Sequence, residues 1–428
     1  MVNPKKLVRK VLPARGILLA EESYRRGRIY SLQARFGFPA KGLRVIAVTG
    51  TNGKTTTCCF INEMLKTAGY KTAMYTTASI ELLGKSKPNK THRTLPLTEQ
   101  LLRFLRDAKR AKVDFVVLEF TSQALHQHKL TGIPVEVAVL TNLSQDHLDY
   151  HRTMSNYAAA KARLFNDYMK PDYCVLNADD EKYDYFMLQS AGQVVSYGQG
   201  SDSTERIKDV KPSGKGLSWQ LMNGDKALDL KIQLAGLFNV YNASAAAAVG
   251  LVLGLKPTAI AKGIAALKLV PGRMENIEAG QPFKVWVDYA VTPDALAKVL
   301  EAGKQAASGK VSLVFGATGD RDKSKRPIMG EVAAKHADKI YLTDDETYKE
   351  DPEIIRQAVY AGIKRAKGQA KTQIIADRKQ AIKKAFSEAK KGDVVILAGL
   401  GHQDSRNMAG KSVPWDDRIV AKNLLVHK

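Results

Sequence analysis

The stretch Gly50-Thr-Asn-Gly-Lys-Thr-Thr56 constrains this chain more than any other. It follows the apolar run Arg44-Val-Ile-Ala-Val-Thr49 and opens a helical pattern from Lys54 to Ala68 that Gly69 closes. A buried strand, a glycine turn and a helix in that order gather backbone amides and the positive end of a helix at one point. That arrangement suits a phosphate chain. Lys54 would reach terminal phosphates, and the Thr55 hydroxyl a Mg2+ ion. The G-x-x-x-x-G-K-[ST] pattern is incomplete, because Val48 stands where its first glycine would be.

Further apolar runs, Phe115 to Phe120 and Val135 to Leu140, read as buried strands between helical patterns. Such alternation implies an α/β fold with a doubly wound, mostly parallel sheet. Between Val194 and Leu234, short alternating runs (Leu217 to Leu221, Leu228 to Ile232) predict a small antiparallel patch ahead of an alanine-rich helix, Ala243 to Leu253. Strand and helix alternation then restarts. Val285 to Asp288, Val311 to Phe315, Lys339 to Leu342 and Val394 to Leu397 predict a second, Rossmann-like α/β unit. The expected division is a short basic segment over 1–42, a P-loop ATPase unit over 43–275 and a C-terminal unit over 276–428. The opening segment reads as a solvated surface helix, with binding to a diphosphate or an anionic lipid surface as the alternative.

Composition narrows the partners. Lys+Arg 66 against Asp+Glu 43 gives a net charge of +23. The basic residues are spread along the chain, with mild clusters at Lys5, Lys6, Arg9, Lys10 and at Arg25, Arg26, Arg28. No aromatic-rich RNA motif accompanies them, so small anionic substrates are expected rather than nucleic acid. Cys58, Cys59 and Cys174 lack zinc spacing and read as buried thiols of a cytoplasmic protein. No apolar run approaches the roughly 20 residues of a membrane span, so no transmembrane segment is expected.

Three further features carry chemistry. Glu119 ends a buried strand, where a carboxylate would meet a phosphate-bound metal, or would simply cap a helix or lie at the surface. The segment Thr141 to His151 is rich in nitrogen and oxygen ligands, with His147 beside Asp146. Lys161 follows on an alanine-rich helix and by itself reads as a solvated face residue.

Taken in order, these motifs resemble those of the Mur ligases, the ATP-dependent amide ligases of peptidoglycan assembly, and most of all the MurE-type tripeptide synthetases. Val48 to Thr57 is similar to their ATP loop, and Leu118-Glu-Phe-Thr-Ser-Gln-Ala-Leu125 to Glu-Val-Ser-Ser-His-Ala-Leu. The resemblance continues through Asn142 to His151, Tyr157 to Phe165, Gly236 to Ala243, Pro271 to Glu275, Val287 to Asp294 and Gly319 to Pro327. It implies an ATP-dependent ligase in which a carboxylate becomes an acyl phosphate that an amino acid's amine attacks. Gly50, Thr51, Asn52, Gly53, Lys54, Thr55 and Thr56 would hold the phosphates. Thr55 and Glu119 would serve one Mg2+, and His147 with a carbamylated Lys161 a second. Asn239 and Asn242 would lie near adenine, Arg273 on ATP phosphate and Asp288 on the ribose. Arg93, Thr94, Thr121, Gln127 and Lys129 would hold the muramoyl-peptide end, and Arg321, Asp345, Tyr348, Gly399 and Gln403 the incoming amino acid.

Departures from the pattern bear on substrates. Full-length MurE-type enzymes carry an N-terminal domain that grips UDP, and 1–42 is too short to be one. The resemblance therefore implies a loosely held uridine end, an acceptor without UDP, or a partner subunit that supplies the grip. Diaminopimelate-using members show Asp-Asn-Pro-Arg where this chain has Asp345-Glu-Thr-Tyr348, and Gly-Lys-Gly-His-Glu where it has Gly399-Leu-Gly-His-Gln403. The lost arginine and the added Glu346 predict a preference for a cationic side chain such as lysine. Two other readings stay open: another ligase of the superfamily, such as a folylpolyglutamate synthase or a partner-dependent enzyme, and a nucleotide-binding scaffold. The intact set Lys54, Glu119, His147 and Lys161 favours catalysis.

Overall fold

The computed structural model describes residues 14–91, 94–214 and 216–426, among which lie two large sheets and one small hairpin. Arg93 and the cluster Lys5, Lys6, Arg9 and Lys10 lie outside the described residues.

The first sheet contains β1 (Arg44–Thr49), β2 (Thr72–Tyr75), β3 (Ser79–Leu82), β4 (Lys85–Pro88), β5 (Phe115–Glu119), β6 (Val137–Leu140), β7 (Tyr173–Asn177), β8 (Gln193–Gly198), β9 (Glu205–Ser213), β10 (Gly216–Asn223) and β11 (Lys226–Ile232). Its spatial order is β11-β10-β9-β8-β7-β6-β1-β5-β2-β3-β4. Pairing is parallel from β2 through β9 and antiparallel at both edges. The predicted antiparallel patch is an edge of this same sheet. β9 pairs in parallel with β8, and β10 and β11 extend the same surface. Both faces of the parallel part are buried, one under the helices Lys54–Thr67 and Leu237–Val252, the other under residues such as Leu101, Leu105 and Phe165. That explains the uninterrupted apolar runs of β1, β5 and β6. The alanine-rich helix begins at Leu237 rather than Ala243, because Gly236 with φ +90 starts it. β2 to β4 escaped the sequence reading. They are four residues each, and β4 is exposed throughout.

β1 lies between β5 and β6, so the chain winds outward from it first to one side and then to the other. This reversal opens a crevice at the C-terminal end of β1, the usual ligand position in such sheets. Gly50 to Gly53 fill that position.

The second sheet contains β12 (Glu275–Asn276), β13 (Lys284–Asp288), β14 (Val311–Phe315), β15 (Lys339–Leu342), β16 (Thr372–Ile374) and β17 (Val394–Ala398), in the order β12-β13-β17-β14-β15-β16. All pairs but β12 with β13 are parallel. The hairpin β18 (Ser405–Met408) and β19 (Lys411–Pro414) follows. Asp288, Gly316, Thr343 to Asp345 and Gly399 therefore emerge together at the C-terminal ends of parallel strands. Met274 and Phe238 pack against the core of this unit, and Phe238 belongs to a helix of the first.

The helix Ala14–Arg35 is anchored, not merely solvated: Ile29 and Gln33 are buried, and Gln33 Nε2 donates to Thr131 O (3.1 Å). All three cysteines are free and buried, and burial pushes the Cys59 thiol up to about 12. Among the described residues no helix is long and apolar enough to cross a membrane.

Candidate active site

Two glycines shape the loop after β1. Gly50 takes φ +149, and a Cβ there would lie 1.8 Å from Thr141 Oγ1. Gly53 takes φ +84, and a Cβ would meet Asn242 Oδ1 at 2.2 Å. Positive φ and close approach each exclude other residues. Thr51 N donates to Asn142 O (2.8 Å) and Asn52 N to Asn142 Oδ1 (3.0 Å), while Thr141 Oγ1 donates to Asn52 O (2.6 Å). The loop is thereby tied to the segment after β6. Thr57 N bonds back to Gly53 O (2.9 Å), so the amides just before it form the open first turn of the helix Lys54–Thr67. Lys54 Nζ donates to Thr51 O (2.8 Å) and arches over the loop. Desolvation lowers its pKa, and Arg273 adds to the effect.

Glu119, fully buried at the end of β5, is a hub. Its Oε2 accepts from Thr55 Oγ1 (2.9 Å) and Thr77 N (2.8 Å), and its Oε1 from Thr77 Oγ1 (2.9 Å). Thr77 Oγ1 also lies 2.8 Å from Thr94 Oγ1, a hydrogen-bond contact that links a residue expected at the acceptor end to the phosphate loop. The helix-cap and surface readings of Glu119 are thereby set aside. Thr77 was missed because it follows the short β2.

Lys161 is likewise not a face residue. It is 1% exposed, its Nζ donates to Gly50 O (2.6 Å), and the amine lies 4.6 Å from the Tyr157 ring centroid. Desolvation drives its pKa well below the ordinary lysine range, and the charge of Lys54 adds to this. His147 sits nearby in left-handed backbone, φ 55. Burial lowers its pKa against the pull of Asp146. Burial opposes the Asp146 charge, yet Lys325 and His147 hold its carboxyl at about 2.

The second unit and the segment leading into it close over this loop. Asn52 Nδ2 donates to Asp294 Oδ2 (2.8 Å), Lys325 Nζ to Asp146 Oδ1 (3.0 Å), and Arg273 Nη2 to Thr55 Oγ1 (3.3 Å). Between the units lies a cleft of about 640 Å3 lined by Asn52, Gly53, Thr55, Thr56, Asn242, Arg273 and Asp288. Asp288 accepts from Met274 N (2.7 Å), and burial raises it to about 6 against the pull of Arg273. Asn239 stands behind the wall: it donates to Ala235 O (2.7 Å) and accepts from Asn242 Nδ2 (3.2 Å), so it orients Asn242.

The expected amino-acid residues gather at the tips of β14, β15 and β17. Asp345 is buried and raised to about 6 by desolvation, with Arg378 pulling the other way. It packs on Gly399 so closely that a Cβ there would be 2.1 Å from its Oδ2. Gln403 Nε2 donates to Glu346 Oε2 (3.3 Å), and Asn407 N to Glu346 Oε1 (3.1 Å). Arg321 stacks on Tyr348, 5.6 Å from its ring centroid. Asn407, on β18, had no signal in the sequence beyond its closeness to Gln403. The remaining acceptor candidates are less concentrated. Thr121 caps the short helix Ser122–His126, Gln127 Nε2 donates to Tyr150 Oη (3.4 Å), and Lys129 is half-buried at that helix's end.

The oxygen donors Thr55 Oγ1 and Glu119 Oε2 suit a hard divalent cation. The pair His147 and Lys161 suits one only if the amine acquires oxygens, since as it stands the amine is a hydrogen-bond donor.

Comparison with known proteins agrees with this layout. Residues 48–250 match the Mur ligase middle domain and residues 272–401 the Mur ligase, glutamate ligase domain. The chain is 39% identical over 392 residues to the UDP-N-acetylmuramoyl-L-alanyl-D-glutamate–2,6-diaminopimelate ligase of Syntrophomonas wolfei, covering 91% of this chain and 80% of that protein. For the ligase of the same name from Geobacillus kaustophilus the identity is 38% over 412 residues, with 95% and 83% covered. A solved structure of such a ligase superposes with a TM-score of 0.63 at 33% identity, over 95% of this chain and 82% of that one. The Mycobacterium tuberculosis folylpolyglutamate synthase complexed with ADP shares the fold, with a TM-score of 0.73 at 21% identity over 87% and 91%. Motif order, fold and identity over most of its length agree: the chain belongs to the Mur ligase family.

Proposed function

We propose that the chain is an ATP-dependent amide ligase that adds an amino acid to a muramoyl-peptide-type cell-wall precursor, MurE-like and working in the cytoplasm. The observation that carries this reading is the meeting of the phosphate loop, Glu119, Lys161 and Arg273, at the junction of the two units, around one cleft. We assign residues 43–275 to ATP binding and residues 276–428 to the amino acid.

Lys54 and the first-turn amides hold the ATP phosphates, while Arg273 reaches them from the junction of the two units. The acceptor's carboxylate oxygen takes the terminal phosphoryl group and ADP departs. The incoming amine attacks the acyl carbon, the C–O bond to phosphate breaks, and the amine's proton is released. Each step moves charge among phosphate and carboxyl oxygens, so catalysis is positioning and charge neutralisation. Thr55 and Glu119 would hold a first Mg2+, and His147 with Lys161 a second; bound there, the ions neutralise phosphate charge. The desolvated Lys161 amine favours its neutral form, the form that adds CO2 to become a carbamate with oxygen ligands.

For the amino acid we favour a cationic side chain. Gln403 Oε1 and Asn407 Oδ1 are buried acceptors that meet no donor among the described residues. Both flank the Glu346 carboxylate, which fixes the Gln403 amide by accepting from its nitrogen. An ammonium group supplies three donors to such a cluster, while Tyr348 offers no charged fork to a second carboxylate.

Phosphate release from ATP with UDP-MurNAc-dipeptide, screened over amino acids, tests the reading. Release that needs both acceptor and amino acid is expected, with lysine or ornithine outcompeting diaminopimelate. Lysine and ornithine no better than diaminopimelate would remove the cationic preference. Release by the chain alone would remove any need for a partner subunit at the uridine end. No release with any amino acid would refute the ligase assignment for this acceptor, and glutamylation of folate would point to the other branch of the fold.

A further inference from the structure

Lys325 belongs to the run Gly319 to Pro327, yet nothing in the reaction above uses it. It opens the helix Lys325–His336 of the second unit, and its ammonium lies 3.0 Å from Asp146 Oδ1 of the first. The pair is largely withdrawn from water, with 7% and 12% side-chain exposure. The same Asp146 oxygen accepts from His147 N (2.9 Å), and Oδ2 lies 3.5 Å from His147 Nε2. Asp146 therefore touches His147 at backbone and ring, and Lys325 holds Asp146.

We propose that Lys325 is a positioning residue of the active site, which through Asp146 fixes His147 when the two units meet. The proposal rests on the reading of His147 as a ligand of the second metal ion. His147 has positive φ without being glycine, a conformation that persists only where its surroundings enforce it. Lys325 is itself rigidly placed. Its neighbour Arg326 is bidentate to Glu350 (2.9 Å twice) and donates to Thr318 O (3.2 Å), and Ser324 Oγ accepts from Gln145 Nε2 (3.0 Å) beside Asp146. A buried ion pair adds little net stability over an apolar pair of the same size, because desolvation offsets the attraction. What this one supplies is geometry: the second unit sets the His147 loop at the same moment as Arg273 and Asp294 reach the phosphate loop.

The experiment compares the full chain with Lys325→Met, Lys325→Arg, Asp146→Asn, the double variant Asp146→Asn/Lys325→Met, and His147→Ala. The readouts are kcat, KM for ATP, unfolding midpoint, and Mn2+ affinity by electron paramagnetic resonance in the presence of ADP. Lys325→Met is expected to lower kcat about 30-fold or more with KM for ATP within about threefold, and to weaken Mn2+ binding about tenfold. Lys325→Arg should recover much of both losses, and the double variant should be no worse than either single one. Lys325→Met with kcat and Mn2+ affinity within threefold of the parent overturns the proposal, as does a loss of activity that simply follows the melting midpoint. If His147→Ala keeps its Mn2+ affinity, the metal-ligand reading fails. If His147→Ala loses it and Lys325→Met does not, the positioning role alone fails. Lys325→Gln carries the same comparison if the methionine variant does not fold.

Discussion

Replacing Gly53 by alanine measures how far the phosphate loop depends on one missing methyl group. Two costs add. An L-residue at φ +84 loses about 1–2 kcal/mol relative to glycine. The new Cβ would also stand 2.2 Å from Asn242 Oδ1, so that side chain must move. Moving it breaks its contacts with Thr57 Oγ1 (3.4 Å) and Asn239 Oδ1 (3.2 Å). Each is worth about 0.5–1.5 kcal/mol. The sum is a destabilisation of about 2–5 kcal/mol, and nucleotide affinity should fall at least tenfold because Asn242 and the loop share the cleft wall. Gly69→Ala separates the terms. It too has positive φ, +92, but nothing lies within 4 Å of its Cβ position. Urea unfolding of both variants, with ADP titrated calorimetrically, gives the two numbers. Equal destabilisation by the two substitutions would refute the steric part. Unchanged ADP affinity in Gly53→Ala would refute the assignment of this loop to phosphate.

Other expectations follow from the same geometry. Arg378 and Asp417 form a bidentate pair with 0% exposure on both sides. Asp417→Asn should cost about 3–5 kcal/mol in urea unfolding, and adding Arg378→Met should recover most of it; additive losses would contradict this. Asp288 is raised to about 6, so the folded chain binds its proton more tightly than the unfolded chain, and its contribution to stability falls as pH rises from about 4 to about 6. Asp288→Asn should therefore gain on the parent across that window, compared pH by pH because His128 and His151, pushed down to about 4 chiefly by burial, act in the opposite direction; a constant difference would rule out the raised carboxyl. Lys161→Ala should abolish phosphate release, with partial recovery in bicarbonate or short-chain acids; full activity in the variant would remove the carbamate from the mechanism.

The sequence showed best what a parallel sheet must write into it. β1, β5 and β6 are buried on both faces, so their apolar runs stand out, and the glycines between β1 and its helix answer to atoms that a Cβ would strike. Short and exposed strands leave no such trace: Lys85-Ser-Lys-Pro88 carries two charges and no core residue. Roles that depend on distant partners were equally hidden. Lys161 looks like any lysine on an alanine-rich helix until the fold buries it against Gly50 O. Asn52 is an ordinary loop residue until its amide meets Asp294, 242 positions away. Among the functional residues that only the fold displays are those joining the two units. A site completed by its second unit can bind nucleotide through one half yet is fully assembled only with both, which is why the cross-unit pairs, rather than the phosphate loop, are where loss of kcat should part from loss of ATP binding.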